Sequence, residues 1–252
     1  MERAIEAGAG GLLTFGGAYS NHLVATAFLC KDHGKKSVGI VRGERPATLS
    51  PTLIRCLEFG MELRFLGRRE FAEPDSGSRS TLLKEYPSFH MIPEGGYDPL
   101  GAAGAAAIAE HIPEPITHIA CATGTCTMLT GLYKTLKPQQ ILVALPAIRG
   151  ATDILQRMER LLGEMPDAHR IHVAHRYHFG GYGKHDAALI RFMNELHAEH
   201  NIPTDKVYTA KLFFGLRDMI ARHFFPPGSR ILAIHSGGLQ GNASLPAGAL
   251  SF

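Results

Sequence analysis

Three short segments set hydroxyl and amide side chains against glycine in a way that suits the capture of an anion. The first is "GGLLTFGGAYSNH", Gly10 to His22: an apolar run, then Gly16-Gly17, then Ser20-Asn21-His22 opening a helical pattern. The N–H groups at a helix start point outward without intrahelical partners, and the helix dipole favours negative charge there, so a carboxylate or phosphate would fit. Ser20 or Asn21 acting only as a helix cap accounts for the same residues. The second is "CATGTCTMLTGL", Cys121 to Leu132, where Thr123, Gly124, Thr125 and Thr127 follow an apolar run. Threonine hydroxyls and backbone N–H groups around a glycine make a nest suited to a phosphate. The segment lacks both the GK[ST] of a Walker loop and the GxGxxG fingerprint, and a cap by Thr125 is the plainer explanation. The third is "AIHSGGLQGN", Ala233 to Asn242, a strand pattern ending in Ser236 and Gly237-Gly238. A tight turn explains the glycines as well as a flat ligand does, but not why three strand ends share one design.

Two tyrosines and a histidine series complete the candidates. "VYTAKLFFGL" places Tyr208 and Lys211 at the start of an amphipathic helix, and "FGGYGKHD" places Tyr182 in a glycine-rich loop. "HVAHRYH" spaces His172, His175 and His178 three apart, which raises the question of a metal. On a strand His175 faces away from the other two, and no carboxylate joins them at ligand spacing, so no metal site is expected.

These residues need elements to position them. Short β-rich runs recur at residues 12–15, 37–42, 62–66, 90–93, 118–122, 141–145, 171–174 and 231–235, several of them continuously apolar as strands covered on both faces are. Between them lie helical patterns: residues 21–33 with Gly34 as the stop, and the spaced sets Leu189, Phe192, Met193, Leu196 and Leu212, Leu216, Met219, Ile220. Such alternation predicts parallel sheets with crossover helices. Residues 71–80, "FAEPDSGSRS", read as a polar loop, "MERAIEAGAG" as the end of a helix, and boundaries are expected near Gly43 and Gly96.

A chain of 252 residues with 45% hydrophobic and 19% charged side chains is a globular α/β balance with ample core. The net charge is +3 without a basic block, so neither nucleic acid nor a membrane surface is the expected partner. Cys30, Cys56, Cys121 and Cys126 lie in apolar stretches with no CxxC, which reads as reduced thiols in the cytoplasm. No apolar run reaches the ~18 residues of a membrane span.

Taken together and in order along nearly the whole chain, "LLTFGGAYSNH", "IPEGGYDPLGAAG" (Ile92–Gly104), "CATGTCTMLTGL", "VYTAKLFFGL" and "IHSGGLQG" resemble the pyridoxal-phosphate enzymes of the tryptophan synthase β-subunit fold type. Within them the chain is most similar to the 1-aminocyclopropane-1-carboxylate deaminase/D-cysteine desulfhydrase family. The resemblance implies an α/β fold of two interleaved open-sheet lobes (fold type II) with the cofactor cleft between them: a smaller lobe at 13–102, and a larger one of 1–12 plus 103–252. It implies pyridoxal 5′-phosphate as cofactor, a small amino acid as substrate and a homodimer as the assembly. Asn21 would bond the pyridoxal 3′-oxygen, while Ser20 and the N–H groups of Asn21 and His22 would hold the substrate carboxylate. Thr123, Gly124, Thr125, Cys126 and Thr127 match the phosphate loop. Ser20, Tyr182 and Tyr208 match catalytic substrate-side groups, and Ser236 or Thr209 would face the pyridine nitrogen.

Two departures matter. The deaminase carries a glutamate after its second tyrosine, where this chain has Thr209, which favours desulfhydrase-like β-elimination to pyruvate, ammonia and sulfide. Ring-opening deamination and a non-catalytic cofactor or amino-acid binder remain the alternatives. The family's Schiff-base lysine, in a GNKxxKL-type segment before the serine-asparagine-histidine triplet, has no counterpart, since Lys31, Lys35 and Lys36 come after it. Either the sequence lacks an amino-terminal piece or the catalytic amine is lost, and little turnover by this exact chain is expected.

Overall fold

The computed structural model describes residues 2–73 and 77–252. By contacts the chain divides into two units, Met1–Gly96 and Tyr97–Phe252. The smaller lobe was expected at 13–102; this division falls at Gly96 and groups residues 1–12 with the first unit.

The first unit is built on four parallel strands in the order β3-β2-β1-β4: β1 (Gly11–Gly16), β2 (Lys36–Arg42), β3 (Met61–Leu66) and β4 (Phe89–Ile92). α1 (Glu2–Glu6) leads into β1. α2 (Asn21–Asp32) connects β1 to β2, and α3 (Pro51–Glu58) connects β2 to β3. α4 (Arg68–Ala72) and α5 (Gly77–Lys84) return the chain to β4. Every residue of β1 is buried, because helices cover both faces. Leu13, Phe15, Val38 and Ile40 pack with Phe71 of α4 and Leu82 of α5, while Leu23 and Ala27 of α2 join Leu53 and Cys56 of α3.

The second unit repeats the plan, in the order β7-β6-β5-β8: β5 (His118–Thr123), β6 (Ile141–Pro146), β7 (Ile171–Val173) and β8 (Ile231–Ala233), again all parallel. α6 (Pro99–Ala106) precedes β5, α7 (Thr127–Lys134) and α8 (Ile154–Leu162) connect the strands, and α9 (Ala187–His200) and α10 (Thr209–Ala221) lead to β8. α7 and α8 cover the face of Ile119, Cys121, Leu142 and Ala144; Leu212, Leu216 and Met219 of α10 cover that of Ala120, Ala122, Val143 and Leu145.

All eight expected strands are present, with differences at their ends and in the loops. Residues 71–80 are not one loop: α4 runs to Ala72 and α5 starts at Gly77, with residues 74–76 outside the description. Gly43 marks no boundary; it turns with φ 107° and its N–H donates to the Leu66 carbonyl at 2.7 Å, inside the first unit. β7 stops at Val173 and His175–Tyr177 form a 3-10 turn, so strand alternation does not govern His175 and His178. Among the described residues no cluster of three or more metal-ligating side chains occurs, and no helix is long and apolar enough to cross a membrane.

Candidate functional site

In each unit the first strand, β1 or β5, is flanked by neighbours reached in opposite directions. The chain leaves β1 for β2 and comes back to β4 on the other side, and it treats β5, β6 and β8 in the same way. Such a switch point leaves a crevice beyond the carboxyl end of that strand, the usual ligand position in open α/β sheets. The carboxyl ends of β1 and β5 carry the two richest sequence motifs.

At the end of β1 the two glycines have different jobs. A Cβ on Gly16 would lie 2.5 Å from Ser20 Oγ and 2.9 Å from Leu23 Cγ, so its bareness serves the packing of the turn; one on Gly17 would meet only Arg42 Nη2, at 3.7 Å. Ser20 does cap α2, its Oγ accepting the Leu23 N–H at 3.3 Å. That bond uses an oxygen lone pair and leaves the hydroxyl proton as a donor, so capping and anion binding are compatible. Asn21 opens α2, half-buried.

His22 is held by a residue the sequence reading missed. The hydroxyl of Thr14, buried in β1, donates to the Ile92 carbonyl at 2.9 Å. Its contact with His22 Nε2 at 2.7 Å therefore has the ring nitrogen as donor. Burial moves the His22 pKa below its ordinary value and favours the neutral ring, whose Nδ1 is then an acceptor. The one trace in sequence is a lone hydroxyl within "LLTF".

At the end of β5 the expected cap is replaced by a strained one. Cys126, not Thr125, is the N-cap of α7, with φ 75° and no side-chain cap bond. A non-glycine residue in the left-handed region costs on the order of 1 kcal/mol and marks a loop whose shape the surroundings enforce. Thr125 Oγ1 lies 3.0 Å from Thr127 Oγ1. Thr123 Oγ1 is buried without a well-formed hydrogen bond, the weakly bonding Cys121 thiol beside it. Arg157 backs the loop: its Nε donates to Asp153 at 2.9 Å and its Nη1 reaches the Gly124 carbonyl at 3.5 Å. Hydrogen bonding to Asp153 holds the guanidinium pKa above its ordinary value. Beneath the loop, a Cβ on Gly131 of α7 would sit 2.6 Å from the Ala102 carbonyl of α6, so the small residues of "PLGAAGAA" let α6 lie directly against the helix that carries the loop.

Tyr208 and Tyr182 come to the same loop. A Cβ on Gly124 would be 3.2 Å from the Tyr208 hydroxyl, and the Tyr208 and Tyr182 rings meet edge-on with centroids 5.9 Å apart. Tyr208 is fixed from below by Asp205, fully buried. The Asp205 carboxylate accepts the N–H groups of Val207, Tyr208 and Thr209 and the Thr209 hydroxyl, all at 2.8–3.0 Å. Thr209 also accepts the Asp205 N–H at 2.7 Å, so its buried hydroxyl is committed to this turn rather than turned outward. Asn242 braces the turn, accepting from the Lys206 N–H and donating to the Thr204 carbonyl. Ser236, exposed, follows β8 on the flank of β5, just beyond the Ile234 N–H bond to Ala120. The structure thus joins Gly124, Tyr182 and Tyr208 in the second unit and Ser20, Asn21 and His22 at one corner of the first.

The sequence matches the profile of the pyridoxal-phosphate dependent enzymes over residues 1–237. The chain belongs to this family. A protein of Pyrococcus horikoshii named "Putative 1-aminocyclopropane-1-carboxylate deaminase" is 26% identical over 94% of this chain and 77% of its own length. A Salmonella choleraesuis D-cysteine desulfhydrase is 26% identical over 93% of this chain and 78% of its own. A solved ACC deaminase homologue superposes with a TM-score of 0.75 at 24% identity, over 95% of this chain and 77% of that one. A hydrogen sulfide-producing enzyme from Fusobacterium nucleatum does so with 0.65 at 15% identity, over 95% and 83%, and both show the shared fold. The second unit suits the phosphate of the family's pyridoxal phosphate: a helix start without a side-chain cap, an under-bonded buried threonine hydroxyl and a glycine whose Cβ would press on Tyr208 meet at one turn.

Proposed function

We propose that this pyridoxal-phosphate dependent enzyme carries the site of a lyase on small amino acids that eliminates sulfide from D-cysteine, with low turnover expected of this chain because its sequence holds no counterpart of the family's Schiff-base lysine. The observation that carries the reading is Thr209: the residue after Tyr208 is a neutral hydroxyl, buried and bonded to Asp205, where the ring-opening deaminase has a carboxylate.

The residues divide the work. Thr123, Gly124, Thr125, Cys126 and Thr127 hold the cofactor phosphate, with Arg157 adding positive charge behind them. Asn21 bonds the ring 3′-oxygen, and Ser236 serves as the neutral partner of the ring nitrogen. Ser20 donates its hydroxyl proton to the substrate carboxylate, alongside the N–H groups of Asn21 and His22, which fixes the orientation of Cα. Bound pyridoxal phosphate supplies an electron-withdrawing ring that stabilises negative charge at Cα. To Tyr182 and Tyr208, which meet edge-on beside Gly124, we assign the passing of a proton to the departing sulfur. The balance is D-cysteine plus water giving pyruvate, ammonia and hydrogen sulfide.

The test compares two substrates on the protein loaded with pyridoxal phosphate. Sulfide and pyruvate from D-cysteine support the reading, as does calorimetric binding of D-cysteine at least tenfold tighter than of 1-aminocyclopropane-1-carboxylate. Release of 2-oxobutyrate from the cyclopropane substrate without sulfide from D-cysteine overturns it.

A further inference from the structure

Lys211 is the most deeply buried lysine among the described residues, 1% exposed, and the reading above gives it no task. Its Nζ donates to three backbone carbonyls: Gly181 at 2.7 Å, His178 at 2.9 Å and Ala147 at 3.5 Å. Two of them belong to the glycine-rich segment that presents Tyr182. That segment is irregular, with positive φ at Phe179, Gly180, Gly181 and Gly183. Its own turns are local, from the Gly181 N–H to the His178 carbonyl at 2.9 Å and from the Lys184 N–H to the Gly181 carbonyl at 3.1 Å. Other contacts come from the same side of α10. A Cβ on Gly215 would lie 2.9 Å from the Tyr177 ring, and the Tyr177 hydroxyl donates to Asp218 at 2.7 Å. Positions 211, 215 and 218 form one helical stripe that receives residues 177–181.

We propose that Lys211 is a positioning residue whose protonated amine fastens segment 178–184 to α10 and thereby sets where Tyr182 stands against Tyr208. The function proposed above enters only through the task given to Tyr182. An ammonium has three protons for three carbonyls, whereas a neutral amine has two protons and a lone pair, which leaves one carbonyl facing a lone pair. Burial opposes the charge and brings the Lys211 pKa down to about 8, so the amine is mostly protonated at neutral pH. The charged groups around it are Asp205, which opposes that shift, Lys206, which adds to it, and His178 and Arg149 on the segments it holds.

Hydrogen exchange of the protein without cofactor tests this, so a failure to bind pyridoxal phosphate would leave the result intact. Pulse labelling at pH 7, where the amine is protonated, reads the protection of a peptide covering residues 177–186. In Lys211→Met, which keeps the bulk of the side chain without the donors, we expect that protection to fall at least tenfold while peptides from α9 stay flat. Lys211→Arg, which keeps a charged donor, should retain more of it than Lys211→Met. Protection in Lys211→Met equal to that of the wild type overturns the proposal; should that variant fail to fold, Lys211→Gln is the second test, and wild-type protection there overturns it likewise.

Discussion

His22 shows how one buried hydroxyl sets the chemistry of a neighbour. Thr14 has a single proton, spent on the Ile92 carbonyl, so only the His22 Nε2–H can satisfy the oxygen lone pair that faces it. Replacing Thr14 by valine keeps the shape and removes both bonds. It should cost about 1–3 kcal/mol of stability, because a buried carbonyl and a ring N–H lose their partners. Long-range nitrogen–proton correlation spectra should show His22 as the Nε2–H tautomer in the wild type and as a mixture in Thr14→Val. An unchanged tautomer would show that something else orients the ring.

Elements matter here through how closely they approach. α6 and α7 meet where Gly131 faces the backbone of Ala102 and Ala105, and the shared surface ends at the loop 123–127. Gly131→Val would have to push α6 away or tilt α7. The expected cost is about 1–3 kcal/mol from overpacking, with a drop of at least tenfold in affinity for pyridoxal phosphate, because the helix start moves with the helix. Cofactor titration by absorbance, with urea unfolding on the same sample, separates the two effects. Stability lost with affinity kept would detach the α6–α7 contact from phosphate binding. In the same way, the Asp205 box explains why "VYT" begins α10 without a conventional side-chain cap at Tyr208: the carboxylate three residues earlier takes the first N–H groups.

For the whole molecule, buried ionisable groups give stability a distinctive pH profile. Lys211 has a folded-state pKa of about 8 against 10.5 when unfolded, so above pH 8 the unfolded chain binds the extra proton and stability rises with pH. The thiols act in the opposite sense. Burial pushes Cys56 and Cys121 to about 12 and Cys126 to about 11, so above pH 9 the unfolded chain loses protons that the native state keeps, and stability falls. The two units differ, since Lys211, Cys121 and Cys126 lie in the second and Cys56 in the first. Urea unfolding at pH 7.5, 9 and 10.5 should show the second unit most stable near pH 9, and the first flat to pH 9 and falling thereafter. A monotonic fall of the second unit from pH 7.5 would contradict a buried ammonium at Lys211.

What the amino-acid order determined by itself is local. Short β-rich runs of four to six residues, alternating with helical patterns, pointed to covered parallel strands, and glycine with hydroxyl residues at strand ends marked the corners beside β1 and β5. The tyrosines and the histidine series were visible as chemistry without an address. The tertiary structure decided which groups face one another: Thr14 and His22, Gly124 and Tyr208, Asp205 and the start of α10, Lys211 and the carbonyls of 147, 178 and 181. Several of these join segments more than thirty residues apart, and no periodicity reports such pairs. Burial decided the rest. It turned a lysine at the start of an amphipathic helix into a clamp, made Cys126 a left-handed cap where a threonine was expected, and drew the Thr209 hydroxyl into the Asp205 turn, because a buried polar atom must take whatever partner the packed chain brings to it.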